Sequence, residues 1–138
     1  MRRLAVINFK FMHKDFDKWN NRKKKIHARN EKILFHEREI WWCTLGINVG
    51  YEQDGKNHDF ERPIIIVRQL SPDTCVILPL TTKRRLEKFQ AIINHGDIIN
   101  YALLDEMRVI DARRLLRKIG FANEKEFSCA VKRLKQIL

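Results

Sequence analysis

Between Glu39 and Lys83 the chain passes through three apolar, strand-type stretches punctuated by turn chemistry, and few small folds accommodate that order. Glu39 to Leu45 carries Ile40, Trp41 and Trp42, residue types that favour a strand. Pro63 to Leu70 and Thr74 to Leu80 are two further strands. The Ser71-Pro72-Asp73-Thr74 link between them sets proline where a type I turn accepts it. The stretch Gly46 to Glu61 holds three glycines and many polar residues, so it reads as a long loop without regular structure. Loops of that length inside a compact domain are usually functional.

If Ser71 and Thr74 oppose each other, Ile64 faces Thr81 and Arg62 faces Lys83, all four on one side of the sheet, while Thr82 points the other way. A slip of a residue or two keeps Arg62 beside the Thr81–Thr82 end but can change which way the side chains face.

Downstream, Ala91–Asn94 and Ile98–Leu104 flank His95-Gly96-Asp97, a hairpin signal. Met107–Ile110 is a short strand, and Asp111–Leu116 suits a turn of helix. Phe127, Ala130, Val131, Leu134, Ile137 and Leu138 recur at spacings of three and four, the stripe of an amphipathic helix. Asn123 suits its N-cap with Glu126 reaching back, and Gly120 suits the break before it. Near the start, Asp15 to Glu31 lacks Gly and Pro and reads as a helix with Phe16, Trp19 and Ile26 on a sparse apolar face.

The convergence of Arg62 and Thr81 has chemical content. A guanidinium is a permanent cation whose planar fork matches a phosphate, and a hydroxyl can both donate to and accept from one. Metal-free RNA cleavage needs a 2′-hydroxyl deprotonated, a pentacoordinate phosphorus stabilised and a leaving oxygen protonated. Arg62 fits the stabilising role and Thr81 the positioning role. Glu52 is the physically sensible base, since arginine holds its proton to pH above roughly 12. His58 is the loop group with an ordinary pKa near neutrality, hence a second acid/base candidate, although a surface loop histidine is the simpler reading. Glu52 and Arg62 could equally close the loop as a structural ion pair. The acidic residues Glu52, Asp54, Asp59 and Glu61 match no calcium-loop spacing, the histidines are dispersed, and no phosphate-binding glycine loop or nucleophile signature is present. No metal and no cofactor is expected.

Charge sharpens the choice of partner. The formal net charge is +11, and residues 1–38 alone hold 12 Lys/Arg against 4 Asp/Glu. Such a field attracts RNA, DNA or an acidic protein segment. On the first helix, Arg22, Lys23, Lys24, Lys25 and Arg29 serve either that attraction or plain solvation. Apolar runs are too short to span a membrane, and Lys10, His13, Lys14 and Asp15 interrupt the start too early for a secretory signal. A cytoplasmic location is therefore expected. The three cysteines, Cys43, Cys75 and Cys129, are expected as reduced, buried thiols.

These motifs, taken in order, resemble the PemK/MazF family of type II toxin–antitoxin systems. Glu39-Ile40-Trp41-Trp42 resembles its opening strand, and Gly50-Tyr51-Glu52-Gln53 its Gly-Ser-Glu-Gln loop. Arg62-Pro63 with Ile64–Val67 resembles its Arg-Pro strand, and Pro79-Leu80-Thr81-Thr82 its third-strand end. Leu104 to Asp111 with Arg114-Leu115 resembles its late strand. The resemblance implies an α+β, mainly β fold: an SH3-like small barrel with an N-terminal and a C-terminal amphipathic helix. The expected organisation is one domain, with a basic helical extension (1–36), a barrel core (37–120) and a closing helix (121–138).

It further implies a homodimeric, metal-independent endoribonuclease that cuts single-stranded RNA, often mRNA, to a cyclic phosphate and a 5′-hydroxyl, and that a cognate antitoxin blocks. By motif position the catalytic residues are Arg62, Thr81 and Glu52. The expected RNA contacts are Gln53, Lys56, His58, Thr82, Lys83, Arg84, Arg85 and Arg108. Departures from the pattern are Tyr51 for a small serine, a longer Lys56–Glu61 stretch, Glu106 for a glutamine, and the N-terminal extension. The alternatives are a CcdB-like toxin that poisons gyrase without RNase activity, and a non-catalytic basic RNA-binding module.

Overall fold

The computed structural model describes residues 14–57, 59–85 and 87–138. His58 and the basic-then-apolar start of the chain lie outside them. Among the described residues, helix α1 spans Phe16–His27 and precedes seven strands: β1 (Glu39–Thr44), β2 (Glu61–Gln69), β3 (Thr74–Thr81), β4 (Gln90–His95), β5 (Ile98–Leu103), β6 (Arg108–Asp111) and β7 (Leu115–Phe121). Helix α2 (Glu124–Ile137) closes the chain, and short 3₁₀ turns flank β4, β6 and β7.

The strands form one curled antiparallel sheet in the order β4-β5-β3-β2-β1-β7, with β6 lying against β3. β3 is the keystone. Its first half, Thr74–Ile77, pairs with β6, and its last residues, Leu80 and Thr81, pair with β5. Among the described residues this is a mainly β half-barrel with two helices, in keeping with the α+β, SH3-like small barrel expected from the sequence.

Period-2 alternation explains why the central strands are almost uninterruptedly apolar: both faces are covered. Ile64 and Ile66 of β2 join Trp41, Cys43, Cys75, Ile77, Ile110 and Leu115 in one core. Ile65 joins Ile40, Leu78, Leu80, Ile93 and Leu104 in a second core, capped by Ala130 and Leu134 of α2. Each fully buried aliphatic side chain stabilises the fold by about 1.5–3 kcal/mol.

The β2–β3 register differs from the expected one by two residues: Ile64 pairs with Pro79 rather than Thr81. One step comes from the turn, where the Leu70 and Ser71 amides both donate to the Thr74 carbonyl and the Ser71 hydroxyl accepts from the Asp73 and Thr74 amides. The second comes from a bulge between Ile66 and Arg68. Two single-residue slips cancel in facing. Extending the ladder past Ile64–Pro79 brings Arg62 level with Thr81.

Other expectations are corrected. α1 stops at His27 with Ala28 as its C-cap, and just beyond it the Arg29 side chain donates to the Leu115 carbonyl at 2.9 Å. Phe16 stands exposed, leaving Trp19 and Ile26 as the buried face. The 115–121 stretch is a full strand, and Gly120 lies inside it against the His95 ring rather than marking a break. Asn123 does cap α2, accepting from the Lys125 and Glu126 amides. Glu126 does not reach back; its carboxylate accepts from the Asn94 amide and side chain of β4. Cys43 and Cys75 are buried, but Cys129 is exposed on α2.

Candidate functional site

Arg62 sits at the start of β2, in the extended conformation that the following Pro63 favours. Its guanidinium is half-buried and held by oxygens: Nε donates to the Asp54 carbonyl at 2.8 Å and Nη1 to the Leu80 carbonyl at 3.1 Å. With the Gln53 amide turned so that its oxygen faces Arg62, that oxygen accepts from Nη2 at 2.7 Å and from Nε at 3.1 Å. Burial and the nearby Arg85 charge pull the guanidinium below its ordinary pKa, and the Asp54 charge opposes them. It remains a cation throughout the physiological range.

Thr81 ends β3 and is 7% exposed. Its Oγ1 accepts from the Lys83 amide at 3.2 Å, which fixes the hydroxyl while its own proton can still be donated. Arg62 and Thr81 line one open cleft of about 510 Å³ together with residues 51–56, Lys83 and Arg85. An adjoining groove of about 220 Å³ shares Arg62, Thr81 and Lys83 and extends to Thr82, Trp42 and Asn100.

The loop between β1 and β2 is far from structureless. The Leu45 and Gly46 amides both donate to the Phe60 carbonyl, the Gly55 amide to the Gly46 carbonyl, and Lys56 and Glu61 form a two-way bridge. Glu52 lines the cleft, but its carboxylate accepts from the Val49 amide at 2.8 Å, tying its own turn. The structural ion pair considered for Glu52 and Arg62 is therefore not formed; Asp54 and Gln53 hold the arginine instead.

Of the expected RNA contacts, Gln53, Lys56, Lys83 and Arg85 line the cleft and Thr82 the adjoining groove. Arg84 lies outside, paired with Glu87 and lining a separate hollow. Arg108 also lies outside, donating to the Leu45 carbonyl at 3.2 Å. His58 is outside the described residues. Among those residues no three His, Cys, Asp or Glu side chains gather as metal ligands, and no helix is long and apolar enough to cross a membrane.

Two contributors escaped the sequence reading. Asp54 holds Arg62 through a main-chain carbonyl, which no residue type announces. Glu106 takes the Gln53 amide on its carboxylate at 3.4 Å, behind the loop. Burial raises its pKa, aided by the Asp105 and Glu52 charges and opposed by the Gln53 amide and Arg85. Its one sequence signal was the departure from the glutamine usual at that position.

The fold has solved counterparts. MazF from Deinococcus radiodurans superposes with a TM-score of 0.62 at 18% identity, over 76% of this chain and 96% of that one. Mycobacterium tuberculosis toxin MazF-mt6 gives 0.55 at 17% identity, over 72% and 94%. A mycobacterial endoribonuclease in complex with its cognate antitoxin gives 0.56 at 17%, over 75% and 93%. At such identities the likeness is one of fold. No curated protein matches the sequence. A family model described as the PemK-like, MazF-like toxin of type II toxin–antitoxin systems matches residues 36–138, from the residues before β1 to the chain end. With that match spanning the whole sheet and α2, the chain belongs to the PemK-like, MazF-like toxin family.

Proposed function

We propose that this protein is the toxin of a type II toxin–antitoxin pair and acts as a metal-independent endoribonuclease on single-stranded RNA, mRNA foremost. The observation that carries the reading is the meeting of Arg62 and Thr81 in one cleft edged by Lys56, Lys83 and Arg85. Among the described residues, the contacts of Arg62 occupy three of its five N–H donors. One N–H on each Nη remains for a phosphate.

In this reading the cleft grips the scissile phosphate between the Arg62 guanidinium and the Thr81 hydroxyl. The 2′-hydroxyl gives its proton to the Glu52 carboxylate and attacks phosphorus. The P–O5′ bond breaks, leaving a 2′,3′-cyclic phosphate, and the 5′-oxygen takes a proton from solvent water and leaves as a hydroxyl. Arg62 stabilises the charge that accumulates on the phosphoryl oxygens, where a preorganised cation acts most strongly. The lysines and arginines at the rim contribute salt-dependent backbone affinity.

The antitoxin, a homodimeric state and a cytoplasmic setting belong to the same proposal. Solved structures of MazE–MazF from Deinococcus radiodurans record such a complex for a protein of this fold. The present chain's positive charge suits an acidic antitoxin segment laid over the cleft.

Incubation of purified protein with a single-stranded RNA in EDTA should give fragments with a 5′-hydroxyl. Arg62→Ala should slow cutting by at least roughly 10²-fold, the cost of one lost electrostatic stabiliser, while the circular dichroism spectrum is kept. Undiminished cleavage by Arg62→Ala would reject the mechanism. Absence of cleavage by the wild type, with capture of gyrase, would replace it with the non-enzymatic toxin reading.

A further inference from the structure

We infer that Lys14 and Trp19, which precede the span matched by the family, are positioning residues that set the Arg62 guanidinium through the β1–β2 loop. The geometry stands by itself; its consequence for turnover rests on the nuclease reading above.

The Lys14 ammonium lies 2.9 Å from the Asp54 carboxylate and donates to the Asn48 carbonyl at 2.8 Å and the Gly50 carbonyl at 3.0 Å. These three acceptors belong to one loop, so a single side chain gathers its two limbs. The same Asp54 carboxylate accepts from the Asn48 amide at 2.7 Å, and the Asp54 carbonyl accepts from Arg62 Nε at 2.8 Å. Asp54 thus connects the N-terminal segment to the arginine in two bonds. The Lys14 side chain is only 11% exposed, so the pair works in a poorly screened setting.

Trp19 holds the other side of the loop. Its ring occupies the space where a Cβ on Gly46 would stand, 2.2 Å from a ring carbon, and meets Phe60 edge to face at 5.4 Å. The Phe60 carbonyl is the one that takes the Leu45 and Gly46 amides. Arg22 adds an ion pair to Asp59 at 3.3 Å. Trp19, Ile26 and Phe60 form a small cluster separate from the two cores of the sheet. Losing this brace leaves both main cores packed, so its effect falls on the loop and the cleft rather than on the barrel.

The test uses the full chain with Lys14→Met, Lys14→Arg and Trp19→Phe. Hydrogen exchange of the Arg62 Nε–H, followed by nitrogen-15 NMR, reads the position of the guanidinium and needs no activity. Single-turnover cleavage of a single-stranded RNA in EDTA, with RNA affinity measured in parallel, reads the consequence. Lys14→Met should speed Nε–H exchange and slow the cleavage step by roughly 10²-fold, the scale of a misplaced catalytic group, with RNA affinity unchanged. Lys14→Arg should restore both, and Trp19→Phe should move both in the same direction as Lys14→Met. Unchanged Nε–H exchange in Lys14→Met overturns the inference, as does a loss confined to RNA affinity, which would make Lys14 a direct RNA contact. If the wild type cuts no RNA, the nuclease reading fails, and the exchange measurement alone decides this one.

Discussion

Gly46→Ala offers a severe test of how α1 is attached. Gly46 has φ +86°, a left-handed conformation, and an added Cβ would stand 2.2 Å from the nearest Trp19 ring carbon. Two independent costs follow. A non-glycine residue in that backbone region loses about 1–2 kcal/mol. Forcing a methyl into an occupied site costs a further ~1–3 kcal/mol. The sum, about 2–5 kcal/mol, has a ceiling, because α1 can lift off before the barrel unfolds. Burial of Trp19 and Ile26 supplies roughly 3–6 kcal/mol of the docking, before the entropy of ordering the helix is subtracted. Gly46→Ala is therefore expected to release α1 from the sheet while leaving the barrel folded. Native-state amide exchange reads this directly: α1 amides should lose protection, and β2 and β3 amides should keep theirs. A double-mutant cycle separates the two costs. In a Trp19→Leu background the steric part disappears and only the backbone part remains, so adding the methyl should cost about 1–2 kcal/mol. An equal cost in both backgrounds would refute the reasoning, since it would mean that the ring does not press on Gly46.

Two further outcomes are expected. Glu39 is 2% exposed: burial alone would raise its pKa, but hydrogen bonds from the His36 amide, the Trp41 indole and Lys118 hold it below the usual carboxylate value. Its contribution is thus fully present above the unfolded pKa near 4.5 and is lost as pH falls through the lower folded value. Glu39→Gln should lower stability by about 1–3 kcal/mol at pH 7 and flatten the acid limb of a denaturation-versus-pH curve; an unchanged limb would show the carboxylate to be unimportant. Native protein should bind one equivalent of a thiol reagent, at exposed Cys129, because burial pushes the Cys43 and Cys75 thiols up to about 12. Titration of the thiols before and after unfolding checks this, and rapid labelling of all three in the native state would contradict the packing of the first core.

The central strands were legible because Ile64, Ile65 and Ile66 must alternate between two covered faces, and only a strand distributes them so. β7 was not, because an edge strand carries charge: Arg117 and Lys118 interrupt the apolar pattern, pairing with Glu61 and Glu39. The bulge after Ile66 leaves no mark in composition, yet it decides which residue lies across from Arg62. At the candidate site, Arg62 and Thr81 could be singled out because charge and hydroxyl chemistry are properties of side chains. The groups that orient Arg62 could not, since the Asp54 and Leu80 carbonyls belong to every sequence and are selected by the path of the chain. Lys14 was hidden for a related reason: its partners lie 34 to 40 positions away, and a lysine near the start of a basic chain reads as one solvated charge among many.

The Asp54 and Leu80 carbonyls have one more implication. A main-chain oxygen accepts whatever its residue carries, so substitutions that spare the Gln53 and Lys14–Asp54 contacts and the path of the loop leave these two anchors of the cation in place. On the proposed nuclease reading, a lineage can then rewrite the remaining rim of the cleft, and with it the nucleotides tolerated, without reinventing the grip on the phosphorus. In that reading, innovation in selectivity and constancy of chemistry fall to different atoms of the same few residues.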